Sequence, residues 1–141
     1  MLSGLFFCQN QRNIFMRIAI PIFAGIVLFA GSVLAAQVEI DEDYMRSVED
    51  TQKSLVDNLA RKNAKASTAD ATELAGMFAQ VEAFYVAKGD AVEAVKLSTQ
   101  SKDLSSEIVT LVAAKDFGTA SGKVEEIQRA CKSCHNFYKK S

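Results

Sequence analysis

From Asp41 onward the apolar residues recur every three or four positions, in four runs separated by short polar breaks. The first run is Met45, Val48, Gln52, Leu55 and Leu59, one face of a helix expected over about 41–63. Asp41, Glu42 and Asp43 crowd its start, where negative charge favours the helix dipole. "NAKAST" interrupts the pattern, and Ser67 or Thr68 is the expected cap of a second helix, with Asp70 three residues after Ser67. Leu74, Phe78, Val81 and Tyr85 form its stripe, flanked by Met77 and Phe84, and Gly89 is placed to end it. Asp90 is the expected cap of a third helix, with the stripe Ala94, Leu97, Ser101, Leu104, Ile108 and Leu111. "AKDFG" makes the next turn, with Asp116 as cap. The fourth stripe is the cleanest: Phe117, Ala120, Val124, Ile127, Cys131, Cys134 and Tyr138. Strand-like alternation is missing and the only proline is Pro21, so the chain from residue 37 reads as all-α. Four amphipathic helices with short connections predict an antiparallel up-down-up-down four-helix bundle.

Residues 1–36 follow a different rule. They hold Arg12 and Arg17, no acid, and then the apolar run "IAIPIFAGIVLFAGSVLAA". A basic start, an apolar core and a small-residue exit describe a secretory signal peptide, cleaved after Ala35 or Ala36. Met16 is a second candidate start, because "MRIAIPIF" already supplies a basic n-region. The competing reading is a retained membrane anchor, since the run nearly spans a bilayer. Either way residues 37–141 form an exported domain, periplasmic in the signal-peptide reading.

Removing Arg12 and Arg17 from the 16 basic residues leaves 14 against 17 acidic ones, a net charge of about −3. No basic stripe is present, which argues against a nucleic-acid partner. Cys8 leaves with the signal, so only Cys131 and Cys134 remain, followed directly by the sole histidine, His135.

Three chemistries compete for "CKSCH". Structural zinc takes four ligands and catalytic zinc three, and no second ligand cluster exists. A thioredoxin-like redox pair belongs beside a βαβ unit, and no strand pattern accompanies this one. A plain disulfide leaves the histidine without a role. The remaining reading is covalent haem c, which the C-x-x-C-H pattern encodes. Both sulfurs reach one porphyrin edge from a single helical turn, and His135 then offers a ring nitrogen to the iron.

The stretch "RACKSCHNFYKK" near the C-terminus, on an exported four-helix chain, resembles the class II cytochromes c, the cytochrome c prime family. In that family an aromatic and a basic residue commonly follow the histidine by three and four positions. Tyr138 and Lys139 hold those places here. The specific motif covers only the last dozen residues. The resemblance implies one haem c bound through Cys131 and Cys134, with His135 as an axial ligand. It also implies a chain that can pair as a homodimer through its first two helices.

The iron's other side decides the function. In an up-down-up-down bundle the start of helix one and the end of helix four share one end. Met45 and His135 then sit at similar depth, which makes Met45 the candidate sixth ligand. Thioether plus imidazole is an electron-transfer pairing that raises the reduction potential. The competing reading keeps Met45 as ordinary core, and aligning Tyr44 with the family's first helix brings Val48 or Glu49 to the usual distal place. By the same layout Phe84, Tyr85, Val92 and Val95 are expected to wall the haem crevice, although each also fits plain packing. Lys139 is a candidate partner for a haem propionate, or a solvated lysine at a helix end. The expected function is a non-enzymatic monohaem cytochrome c carrying single electrons to a redox partner protein. The alternative is a five-coordinate haem protein that binds nitric oxide or another small gas.

Overall fold

The computed structural model describes residues 39–138. The expected signal peptide, the Met16 start, the Ala35–Ala36 cleavage site and Lys139 lie outside those residues. Four helices and no strand make up the described residues: α1 Glu42–Ala60, α2 Ala64–Lys88, α3 Val92–Ala113 and α4 Phe117–Tyr138. Each packs on the next, and α4 closes the ring against α1.

Polar contacts between the helices fix their directions. The Tyr44 hydroxyl, at the start of α1, lies 3.0 Å from the Met77 carbonyl and 3.1 Å from Gln80 Oε1, late in α2. At the other end of α1, Ser54 Oγ and Asn58 Nδ2 donate to Asp70 Oδ2, at 2.9 and 2.8 Å. Lys102 Nζ meets Glu82 at 2.6 Å, and Lys123 Nζ meets Glu107 at 3.2 Å. Neighbouring helices are therefore antiparallel, the arrangement of an up-down-up-down four-helix bundle.

Local chemistry explains most helix ends. Asp41 caps α1 by accepting from the Tyr44 N–H at 2.7 Å, a contact worth about 1 kcal/mol. Asp116 does the same for the Thr119 N–H at the start of α4, at 3.0 Å. Gly89 ends α2 with φ +80°, a left-handed conformation that costs glycine little. Lys62 and Lys115 adopt the same left-handed region, φ 55° and 61°, just past α1 and α3.

Two expected caps differ from the structure. Helix α2 begins at Ala64, and its cap is Asn63, which accepts from the Ala66 N–H at 3.2 Å. The run Ala64–Lys65–Ala66 consists of strong helix formers, so the helix starts before Ser67 and carries that serine inside. At α3 the cap position falls to Ala91, which has no side-chain acceptor, and Asp90 stays exposed outside the helix.

The stripes of all four helices converge on one core. Leu55, Leu59, Leu74, Ile108, Ile127, Val112 and Val124 are its largest fully buried apolar members. Each such side chain contributes about 1.5–3 kcal/mol by leaving water. Their positions fall in the later half of α1, the first half of α2, the later half of α3 and the first half of α4. The core is thus concentrated at one end of the bundle, and "CKSCH" lies at the other.

Candidate haem site

Cys131, Cys134 and His135 occupy the last turns of α4. A helix advances 100° per residue, so residues 131 and 135 share a face and residue 134 turns toward the next helix. The surroundings match that geometry. Cys131 and His135 line a groove between α1 and α4, with Met45, Val48, Glu49 and Gln52 across from them. Its volume is about 450 Å³, within the range of about 300–1,000 Å³ that small-molecule and cofactor sites occupy.

Behind the groove, inside the bundle, lies a second and much smaller void of about 30 Å³. All four helices wall it. Met45 comes from α1, Phe78 and Val81 from α2, Leu97, Ser98 and Ser101 from α3, and both cysteines and His135 from α4. Its exposed surface is wholly apolar despite the two serines. The reason is that Ser98 Oγ donates to the Ala94 carbonyl and Ser101 Oγ to the Leu97 carbonyl, at 2.7 and 2.8 Å. With their hydroxyls turned onto their own helix, these serines present only small carbon faces. Ala94 and Ala130 line the same void and add to the small-residue wall.

Met45, Cys131 and His135 line both spaces, so they mark the boundary between them. Residues 45 and 135, ninety positions apart in sequence, are thereby brought to one site, as the helix layout predicts. A flat macrocycle needs more room than the void offers. The groove lies between α1 and α4, the pair of neighbouring helices that touch least.

The two sulfurs are free thiols. Burial pushes the Cys131 thiol up to about 11, with the nearby Cys134 adding to the effect. Burial also raises Cys134, helped by the negative charge of Glu93. Both therefore stay protonated at neutral pH. Among the described residues no three His, Cys, Asp or Glu side chains converge as a metal-ion site. The donor set of two thiols and one imidazole is thus too small for a bare structural zinc ion. It fits a group that brings its own ligands to the metal and takes thioether links at its edge. Haem meets both conditions.

The other expected wall residues stand elsewhere. Phe84, Tyr85, Val92 and Val95 line neither cavity. Val92 is the first residue of α3 and is 78% exposed. Phe84 and Tyr85 pack edge to face, with centroids 5.2 Å apart, and Tyr85 continues to the Tyr138 ring at 5.8 Å. These rings form an aromatic cluster beside Cys134, whose proximity, after burial, helps to raise the Tyr85 hydroxyl. Tyr138 belongs to that cluster rather than to a cavity wall. The walls are supplied one turn or more further in, by Phe78, Val81, Leu97, Ser98 and Ser101. Four of these were already on the sequence stripes; Ser98 was not. Gln52 also lay on a stripe, but its part in the groove was not evident from spacing.

No protein-family model matches the chain, and neither does any curated protein or solved structure compared with it.

Proposed function

We propose that the chain is an exported monohaem c-type cytochrome that carries single electrons. One observation carries the reading: Met45 on α1 and His135 on α4 line the same two spaces, with Cys131 between those spaces and Cys134 beside them. Haem held there supplies a one-electron Fe(II)/Fe(III) couple. The residues do the rest. Cys131 and Cys134 would hold haem through thioether links made by adding their S–H groups across its two vinyl groups, sulfur to one carbon and hydrogen to the other. No oxidant or leaving group is needed. His135 would hold the iron through a ring nitrogen and Met45 through its thioether sulfur, a pairing that would favour electron transfer over ligand exchange. Phe78, Val81 and Leu97 exclude water, which keeps the surroundings rigid and the rearrangement on electron transfer small. Export follows from the basic, apolar and small-residue order of residues 1–36. No helix of the described residues is long and apolar enough to cross a membrane.

The test combines mass and spectrum on protein from cells competent in cytochrome maturation. The expected mass is the processed polypeptide plus one haem, and a mass equal to polypeptide alone refutes attachment. The ferrous spectrum is expected to be low-spin and indifferent to carbon monoxide. A high-spin form that binds carbon monoxide would remove the electron-carrier assignment and favour gas binding. In the Met45→Ala variant carbon monoxide is expected to bind; an unchanged ferric spectrum would show that Met45 is not the ligand.

A further inference from the structure

A buried carboxamide stands unpaired on the wall of the α1–α4 groove. Gln52 is only 9% exposed, and its Nε2 has no hydrogen-bond partner among the described residues. Buried donors in folded proteins are nearly always paired, and an unpaired one carries the full desolvation cost of its N–H groups. A leucine at this position would fill the same stripe without that cost. Gln52 lies two turns along α1 from Met45, a rise of about 10 Å, and lines the groove together with Cys131. The other unpaired buried atom, Ser67 Oγ, lines neither this groove nor the void behind it. Gln52 also lines a neighbouring opening with Lys53, Asp57 and Gln128, but the groove is the space it shares with Cys131 and His135, and its absent partner is sought there.

The groove's charged groups narrow the choice. Arg46 of α1 and Lys132 of α4 face it, as do Glu42, Glu49 and His135. Haem carries two strong hydrogen-bond acceptors, its propionate carboxylates. The vinyl edges are taken by the cysteines, and the ring nitrogens by iron. We propose that Gln52 donates Nε2–H to a propionate carboxylate of haem held in the α1–α4 groove. This rests on the haem reading above and gives Gln52 the part of a positioning residue. It fixes one edge of the macrocycle while the cysteines fix another. A carboxamide donor also offsets part of the carboxylate's negative charge, and so favours the ferrous iron.

The experiment compares wild type, Gln52→Leu and the isosteric Gln52→Glu as full chains. Unfolding midpoints are measured with haem attached and on chain made without maturation, and reduction potentials are measured on the haem-bearing forms at pH 7. Gln52→Leu is expected to raise the midpoint of the haem-free chain, because the unpaired donor is gone, and to lower that of the haem-bearing one. The potential is expected to fall in Gln52→Leu and further in Gln52→Glu, where a second acid faces the carboxylate. Midpoint shifts of the same sign and size in both forms would overturn the proposal. So would potentials equal to wild type, even if the haem-free variants do not fold. A wild type without haem by mass fails the haem reading itself, whereas a haem-bearing wild type with unmoved variant potentials fails this inference alone.

Discussion

The two ends of the bundle are built to different rules. At the end holding the α1–α2 and α3–α4 turns, Leu55, Leu59, Leu74, Ile108 and Ile127 are nearly or wholly buried and fill the space by themselves. At the other end Phe78, Val81 and Leu97 share the inward positions with Ala94, Ser98, Ser101 and Ala130, around a small void and an open groove. Both ends follow the same three-and-four spacing. What differs is closure: at one end the four stripes meet, whereas at the other α1 and α4 leave a groove between them, a wall with room for something else.

The largest expected effect tests whether that room is for haem. The double variant Cys131→Ser, Cys134→Ser is expected to lose the covalent haem entirely, read as loss of the mass increment in denatured protein. A retained increment would place the attachment elsewhere.

The next test sets the two ends against each other. Ile108→Ala is expected to cost about 2–5 kcal/mol in denaturant unfolding, with or without haem, because it opens a cavity in a filled core. Ser98→Leu, at the void, is expected to cut haem incorporation sharply while leaving the helical circular dichroism of the haem-free chain near wild type. Equal incorporation by both variants would erase the distinction between the ends.

A smaller effect belongs to the filled end alone. Lys115 ends α3 in the left-handed region, at φ 61°. Glycine avoids the strain of about 1–2 kcal/mol that a Cβ brings there, at some cost in chain entropy. Lys115→Gly is therefore expected to raise the unfolding free energy by up to about 1 kcal/mol, equally with and without haem.

The smallest effect depends on pH. The Thr119 backbone N–H, then its hydroxyl, holds the Asp116 carboxyl below its ordinary value of 3.8. A carboxylate depressed on folding stabilises above its unfolded value, and the gain is lost as pH falls through the folded one. The midpoint difference between wild type and Asp116→Ala should be full at pH 7 and shrink on going below pH 3.8. A difference that grows on acidification would contradict the cap.

The sequence was most legible where period alone decides. The stripes Val48–Gln52–Leu55–Leu59 and Ala120–Val124–Ile127 are buried as their spacing requires. It was less legible at helix starts, where several polar residues compete. Asn63 precedes Ser67 and Thr68, and nothing in spacing ranks them; the helix-forming run after Asn63 does. On α4 a period of 3.6 carries the buried face from Ile127 to Ala130, which leaves Cys131 half-buried at the groove. Near the ends of α2 and α3 spacing is a poor guide to cavity walls: Val92 turns to water, and Phe84, Tyr85 and Val95 line neither space. The unpaired donor of Gln52 shows only once α4 is set against α1, which no single stripe records.

The connection between α1 and α2 is only Arg61–Lys62–Asn63. At 1.5 Å per residue, the 19 residues of α1 make a lever about 28 Å long, pivoted at that turn. A swing of about 10° carries its tip through about 5 Å, more than the thickness of an aromatic plane. Leu55 and Leu59 lie close to the pivot, whereas Met45 lies near the tip, where such a swing would be felt most. A widening of the open end away from α2 therefore has to break the two Tyr44 hydroxyl contacts, to the Met77 carbonyl and Gln80 Oε1, that tie this tip to α2.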